Sequence, residues 1–274
     1  MAIITISRQF GSLGTIIAKQ MNQELKYDYL DKLKLENILV SEYGIPEENI
    51  ERYDERKPAF WDIFSSNKDK YLHFLKTVLY DFASHGDCMI IGRGGEVLLK
   101  DVPGILHVRV IAPTELRIAR VKERYSYSDH LAEKIVRRSD HDRIGFHKFF
   151  FHVNWEDPSL YDLVINTGIF SVEMAVELIK KSLDLLGLEA QQDAAKRKLS
   201  DLCLGQKIMT QIAYEERVPI QFLETHVEHG IATLRGSTIT SEDIDRCERI
   251  ARQIPGVKDV VNEVYFIPNT YGMT

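Results

Sequence analysis

The sequence is short of several things. Its three cysteines, Cys88, Cys203 and Cys247 in 274 residues, are too few and too scattered for a disulfide framework or a zinc site. They fit reduced thiols in a reducing cytosol. No apolar run approaches the roughly 20 residues of a membrane span, and MAIITISRQF lacks the basic-then-apolar order of a signal peptide. The expectation is a cytoplasmic protein with no membrane span. There is no basic excess: a net charge of −6 argues against a general nucleic-acid binder. Internal repeats and low-complexity segments are also absent. Among the histidines, His141, His147 and His152 miss the i, i+4 spacing of a helical metal pair, and His226 and His229 have no acidic partner at ligand spacing.

What is there is an alternation. Ile3 to Ile6 is a short β-branched run, followed by glycines and a helical pattern from Ile16 to Leu25. Residues 32–85 read as helix-rich, broken at Gly44-Ile45-Pro46 and at Lys57-Pro58. Cys88 to Ile91 runs into Gly92-Arg93-Gly94-Gly95. Ile105 to Ile111 ends at Ala112-Pro113 and a helix from Thr114, and Leu163 to Ile165 precedes a helix over Val172–Leu186. Strands alternating with helices predict an α/β fold with a parallel sheet wrapped by helices. Loops 7–15, 92–95 and 112–117 should then share the rim where such sheets bind ligands. Residues 187–198 read as a helical linker. Beyond it, an α-β-β-α-β order in about 70 residues is the size of a small α+β domain.

The loop GSLGT between strand and helix has the context of a phosphate cradle, in which backbone N–H groups and a helix N-terminus face an anion. It does not match GxxxxGK[ST]. A tight turn with Ser12 or Thr15 as helix cap remains open at this point.

The order of ITISRQFGSLG, IIGRGG, HVRVIAPTELRIARV, RRSDHDR and LYDLVINT resembles the cytidylate kinase-like family over roughly residues 2–186. The resemblance implies a P-loop kinase fold and phosphoryl transfer from ATP, with its Mg2+, to a nucleoside monophosphate. No metal site beyond that magnesium is expected. Laid on Arg8 to Ile16, the loop GPSGSGKGT of cytidylate kinases matches at Gly11 and Ser12. Gly14 falls where the lysine stands, and Ile16 where the metal-binding hydroxyl stands. Both losses bear on the charge that assists phosphoryl transfer. Arg8 or Lys19 for the charge, and Thr15 for the hydroxyl, are the available replacements. The cofactor-binding set is therefore Arg8, Gly11, Ser12, Gly14, Thr15, Arg117 and Arg120, the last two matching the arginine pair that begins the lid helix. Read alone, that pair also fits a solvated helix face.

Arg93 occupies the place of the arginine that binds the monophosphate, where a planar fork of donors suits the anion. Asp31 in YDYLDK matches an acceptor-side aspartate, although the serine, tyrosine and arginine around it are missing; helix capping is its other reading. RRSDHDR falls on the lid, which makes Arg138, Asp142 and Arg143 the catalytic candidates. Ion pairing within a surface helix is the alternative.

GIATLRGSTITSEDIDRCERIARQIPGVKDVVNEVYFI resembles a BON domain over about residues 199–268, with a tail at 269–274. The resemblance implies an interaction module whose ligand or protein partner the sequence does not name. Two functions follow: a kinase acting on a nucleoside monophosphate or related small acceptor, or a catalytically weak nucleotide sensor reporting through the BON-like part. A scaffold whose kinase-like half is a relic is the third reading.

Overall fold

A computed structural model describes residues 2–53 and 66–268. The expected break at Lys57-Pro58 and the tail 269–274 lie outside the described residues. Two compact units are present, Met1–Ala195 and Lys196–Thr274.

The first unit carries a parallel sheet of β1 (Ile3–Arg8), β2 (Asp28–Leu30), β3 (Cys88–Ile91), β4 (Ile105–Ile111) and β5 (Leu163–Asn166), in the order β2-β3-β1-β4-β5. Its helices are α1 (Gly14–Leu25), α2 (Lys32–Ser41), α3 (Glu47–Tyr53), α4 (Ser66–Ser84), α5 (Gly95–Leu98), α6 (Thr114–Tyr125), α7 (Asp129–Phe151) and α8 (Val172–Leu186). Serine caps fix two of the starts: Ser128 accepts from Leu131 N–H and Ser171 from Met174 N–H. β2 was not expected; three residues at a sheet edge leave too short a pattern to read.

Strand residues alternate between the two faces of the sheet. Ile4, Ile6, Leu106, Val108 and Val110 meet Ile17 and Met21 of α1 and Ala175, Val176 and Ile179 of α8 in one dry core. Thr5, Ser7, His107 and Arg109 alternate with them and are buried too. Burial of such groups is tolerated only with partners, and each has one. Thr5 Oγ1 bonds His107 Nδ1 at 2.8 Å, and Trp155 Nε1 donates to Ser7 Oγ at 2.9 Å. Arg109 lies over the rings of Trp155 and Tyr161, 4.2 and 5.2 Å from their centroids. It donates to the Tyr161 hydroxyl and to the Trp155 carbonyl.

The stretch 187–198, read as a helical linker, is packed in part into the first unit. Leu188 packs into the first unit's apolar core, Gln191 Oε1 accepts from Gly104 N–H at 3.0 Å, and Ala195 is buried. The first unit therefore continues past residue 186. Leu188 was the one large apolar residue in that stretch, and it is the one that anchors it.

The second unit contains most of α9 (Gln192–Met209), then β6 (Gln221–Glu228), β7 (Ile231–Thr238), α10 (Ser241–Gln253) and β8 (Asp259–Phe266). This is the α-β-β-α-β order. β7 is central, antiparallel to β6 and parallel to β8. Leu204, Ile208, Leu234, Cys247, Ala251 and Val260 are among its core residues. Gly230 turns the hairpin at φ +81°, a conformation that disfavours a β-carbon. Both carboxylate oxygens of Asp201 hold that turn, accepting from His229 and Gly230 N–H.

Candidate phosphate-binding site

Parallel pairing of Ile6 with Ile91 and of Arg8 with Val110 brings the ends of β1, β3 and β4 to one rim. The loop after β1 is fixed there by its carbonyls. Gln9 C=O accepts from the Ser12 hydroxyl at 2.8 Å and Phe10 C=O from Arg117 at 3.3 Å. Gly11 C=O accepts from Arg120 at 3.4 Å and Ser12 C=O from the Thr167 hydroxyl at 2.9 Å. Four successive carbonyls are thus turned into the protein. The N–H groups of Gly11, Leu13, Gly14 and Thr15 have no acceptor among the described residues, and all four residues line a cavity of about 570 Å³. α1 begins with Leu13 in the left-handed region, φ 66°, and has no side-chain cap. The Ser12-or-Thr15 cap reading of the loop is therefore excluded. Donors at an uncapped helix start, beside a cavity, form an anion site.

The loop glycines have packing reasons that the sequence did not reveal. A β-carbon on Gly11, at φ +81°, would lie 2.9 Å from the Arg117 carbonyl oxygen, and one on Gly14 would lie 2.5 Å from Arg8 Cβ. Any side chain at Gly14 therefore displaces Arg8, so a Gly14 variant is not a clean probe of phosphate contact. The Ser12 side chain faces inward as well, on Gln9 and Val110 carbonyls.

Four arginines line the cavity, Arg8, Arg120, Arg124 and Arg143, against one acid, Glu123. Arg93 lies in the turn after β3, 2% exposed and left-handed at φ 62° between Gly92 and Gly94. A non-glycine residue in that conformation stores strain, of the kind found at functional positions. Burial lowers the Arg93 pKa to about 9, helped by the repulsion of Arg8 and Arg143 and opposed by Glu36 and Asp31. The charges of Arg8 and Arg143 both disfavour charge on the buried Arg93. Asp31 itself caps α2, accepting from Lys34 N–H at 3.1 Å.

Two of the expected sites need correction. Arg117 was assigned to the nucleotide, but it is 2% exposed and spent on the protein. Its guanidinium forks onto Asp140 at 3.0 and 2.8 Å and also donates to Ala112 and Phe10 carbonyls and to Thr114. It is a positioning residue for the loop. Arg138 and Asp142 were assigned to catalysis, but RRSDHDR is an internal part of the 23-residue helix α7. Arg138 is 71% exposed and pairs with Asp142 at 3.6 Å along the surface. Arg143, five residues on, is rotated by roughly 140° around the helix and lines the cavity. Arg138 does not line that cavity.

Arg93 and Arg143 are linked by a pair that sequence reading missed. Glu96, at the start of α5, meets His147 of α7 through an Oε1···Nε2 bond of 2.7 Å, with both residues buried. His147 Nδ1 donates to the Arg143 carbonyl at 2.8 Å. A carbonyl only accepts, so Nδ1 carries a proton, and one further proton lies between imidazole and carboxyl. The pair is therefore neutral overall wherever that proton resides. It ties the turn holding Arg93 to the helix holding Arg143. The signal was present in GRGGE and in His147, but nothing in the spacing joined two residues 51 apart in sequence.

Thr15 faces the cavity, and the oxygen-bearing side chains lining it are Gln9, Thr15, Glu123 and Tyr125. Gln9 Oε1 already accepts from Ala112 N–H. No group of three metal-binding side chains occurs among the described residues, and no described helix is long and apolar enough to cross a membrane. The arginines and loop donors fit the phosphates of a nucleotide.

The sheet order, the strand–loop–helix anion site and the rim arginines define a P-loop kinase fold with a nucleotide-type phosphate site. The model of the cytidylate kinase-like family matches residues 3–169, and that of the BON domain residues 200–268. The chain belongs to the cytidylate kinase-like family. It is 23% identical over 184 residues to the cytidylate kinase of Methanococcus aeolicus, covering 66% of this chain and 97% of that enzyme. A uronate isomerase of Corynebacterium glutamicum is 34% identical over 101 residues, 37% of this chain. This chain spans only 19% of that enzyme's length. A solved structure of an uncharacterized protein from Eubacterium ventriosum superposes with a TM-score of 0.53 at 24% identity, covering 67% of this chain and 98% of that one. That likeness concerns the fold.

Proposed function

We propose that the first unit binds ATP by its phosphates and transfers the terminal phosphoryl group to a nucleoside monophosphate or similar small phosphorylated acceptor. The observation that carries this reading is the loop whose carbonyls are turned away and whose N–H groups share one cavity with Arg8, Arg120, Arg124 and Arg143. Like charges are brought together at a cost, and a polyanion removes it. The loop N–H groups hold the donor phosphates, and Arg8 and Arg143 supply the charge that a lysine at position 14 would have supplied. Arg93 holds the acceptor phosphate. Magnesium, when bound with the nucleotide, offsets further charge on the transferring group. Thr15 is the hydroxyl available to orient it, since Ile16 has none.

Donors preorganised toward developing charge act more strongly on the rate than on binding. The test is ATP consumption against a panel of nucleoside monophosphates, with Arg143→Ala and Arg93→Ala. Arg143→Ala should lower kcat about 100-fold, while Arg93→Ala should raise the acceptor KM. A wild type that binds ATP but turns over no acceptor contradicts the kinase reading.

A second reading has its own support. Gly14 replaces the lysine, and Arg138 with Asp142 is withdrawn to the surface. Both favour a nucleotide sensor with little catalysis that reports through the BON unit, which is the interaction module in either case.

A further inference from the structure

Helix α8 carries two apolar faces. Ala175, Val176 and Ile179 are buried, and Val172 and Leu183 pack beside them on the sheet's apolar core. At 3.6 residues per turn, Met174, Leu178, Lys181 and Leu185 share a line on roughly the opposite side of the helix. Met174 is 51% exposed and Leu185 82%, and Leu178 is exposed as well. Single exposed apolar residues are ordinary. These fall at spacings of four, three and four, which is the seam of a two-helix pairing. The remaining seam residue is a cation, Lys181. Its neighbour Lys180 is committed to Glu24 of α1 at 2.9 Å and to Glu177 at 2.8 Å, whereas Lys181 has no ion pair among the described residues.

We propose that this stripe is a self-association surface, on which α8 of a second copy of this chain packs antiparallel, about a two-fold axis between Ile179 and Lys180. A two-fold interface must be self-complementary, and this one is. Met174 meets Leu185 of the second copy, and the apolar stem of Lys181 covers Leu178. Each Lys181 ammonium then reaches Glu177 of the second copy, so the unpaired cation gains an acid on both sides of the axis. Parallel pairing would instead set Lys181 against Lys181. The charges thus select a second copy, in one orientation. The seam from Met174 to Leu185 is only about 17 Å long, so it buries less than the ~1,600 Å² of a standard interface. The dimer is accordingly weak, with a Kd on the order of 10–100 µM.

Sedimentation of the full chain across the micromolar range tests this. The weight-average mass should rise with concentration from the monomer value toward twice that value. Leu185→Gln, at an exposed position, should weaken association at least about tenfold and leave the melting temperature of dilute protein unchanged. Glu177→Lys and Lys181→Glu should each weaken association several-fold. The double swap restores both pairs across the axis and should recover it. A wild type that stays monomeric at every concentration overturns the proposal. So does an association untouched by Leu185→Gln, or a double swap no better than the single changes, because the surface or the orientation would then be wrong.

Discussion

The two faces of the five-stranded sheet are both buried, but buried polar groups are concentrated on one of them, beside Ile3, Ile90 and Ile105. On one face Ile4, Ile6, Leu106, Val108 and Val110 interdigitate with α1 and α8. On the other, Thr5, Ser7, His107 and Arg109 sit in a hydrogen-bonded layer with Trp155 and Tyr161. Apolar burial is non-directional and tolerates small changes of shape. A buried polar layer works only when each partner is in place, and that is what makes it positioning. The dry face holds the fold together. Toward the rim, Glu96 and His147 use the same buried polar chemistry, and there it fixes the elements that carry Arg93 and Arg143.

The comparison is broken most easily at Glu96. Glu96→Leu should cost about 3–5 kcal/mol, because it leaves His147 buried without its carboxyl partner. The double change Glu96→Leu with His147→Phe should recover much of that loss. On the dry face, Ile6→Val should cost only about 0.5–1.5 kcal/mol. Urea unfolding measures all three. If Glu96→Leu costs no more than Ile6→Val, the polar pair does not hold the rim and the contrast fails.

A smaller effect sharpens the same point on α6. Arg117→Lys keeps the charge but loses the planar fork that meets Asp140 and two carbonyls at once. It should destabilise the protein by about 1–3 kcal/mol, read in the same unfolding experiment. An unchanged midpoint would show that Arg117 does not pin the loop.

Much of the fold was legible because its signals are local. Strand-length apolar runs ending in glycine or proline marked four of the five strands, and glycines marked the turns of the second unit. The site was legible only as far as sequence neighbours decide it. Gly11 and Gly14 lie at the turn from β1 into α1, and Arg93 lies in the turn after β3. Which arginine faces the cavity depends on the phase of α7, and RRSDHDR offers Arg138 and Arg143 without saying which. Arg117 was read as a ligand contact because it matches an arginine of the lid-helix pair in the family it resembles. Its burial and its bond to Asp140, 23 residues away, are facts of packing. The Glu96–His147 pair is longer-range still. The alternation of Thr5 and Ser7 with isoleucine was visible, but a polar strand face reads as solvated until a second layer is seen to cover it.

The most direct test sets Arg143 against Arg138, two arginines of one helix with the same charge and opposite placements. Melting temperature is followed against inorganic tripolyphosphate for the wild type, Arg143→Gln and Arg138→Gln, since an anion that binds the native state raises it. Arg138→Gln removes an exposed i, i+4 pair, so it should change stability by less than about 0.5 kcal/mol and keep the full anion-induced shift. Arg143→Gln should lose most of that shift, through an affinity about tenfold weaker, as expected for one lost charge-assisted bond. Equal responses from the two variants would contradict the account, because the phosphates would then be sensing net charge rather than the arginines gathered at the rim.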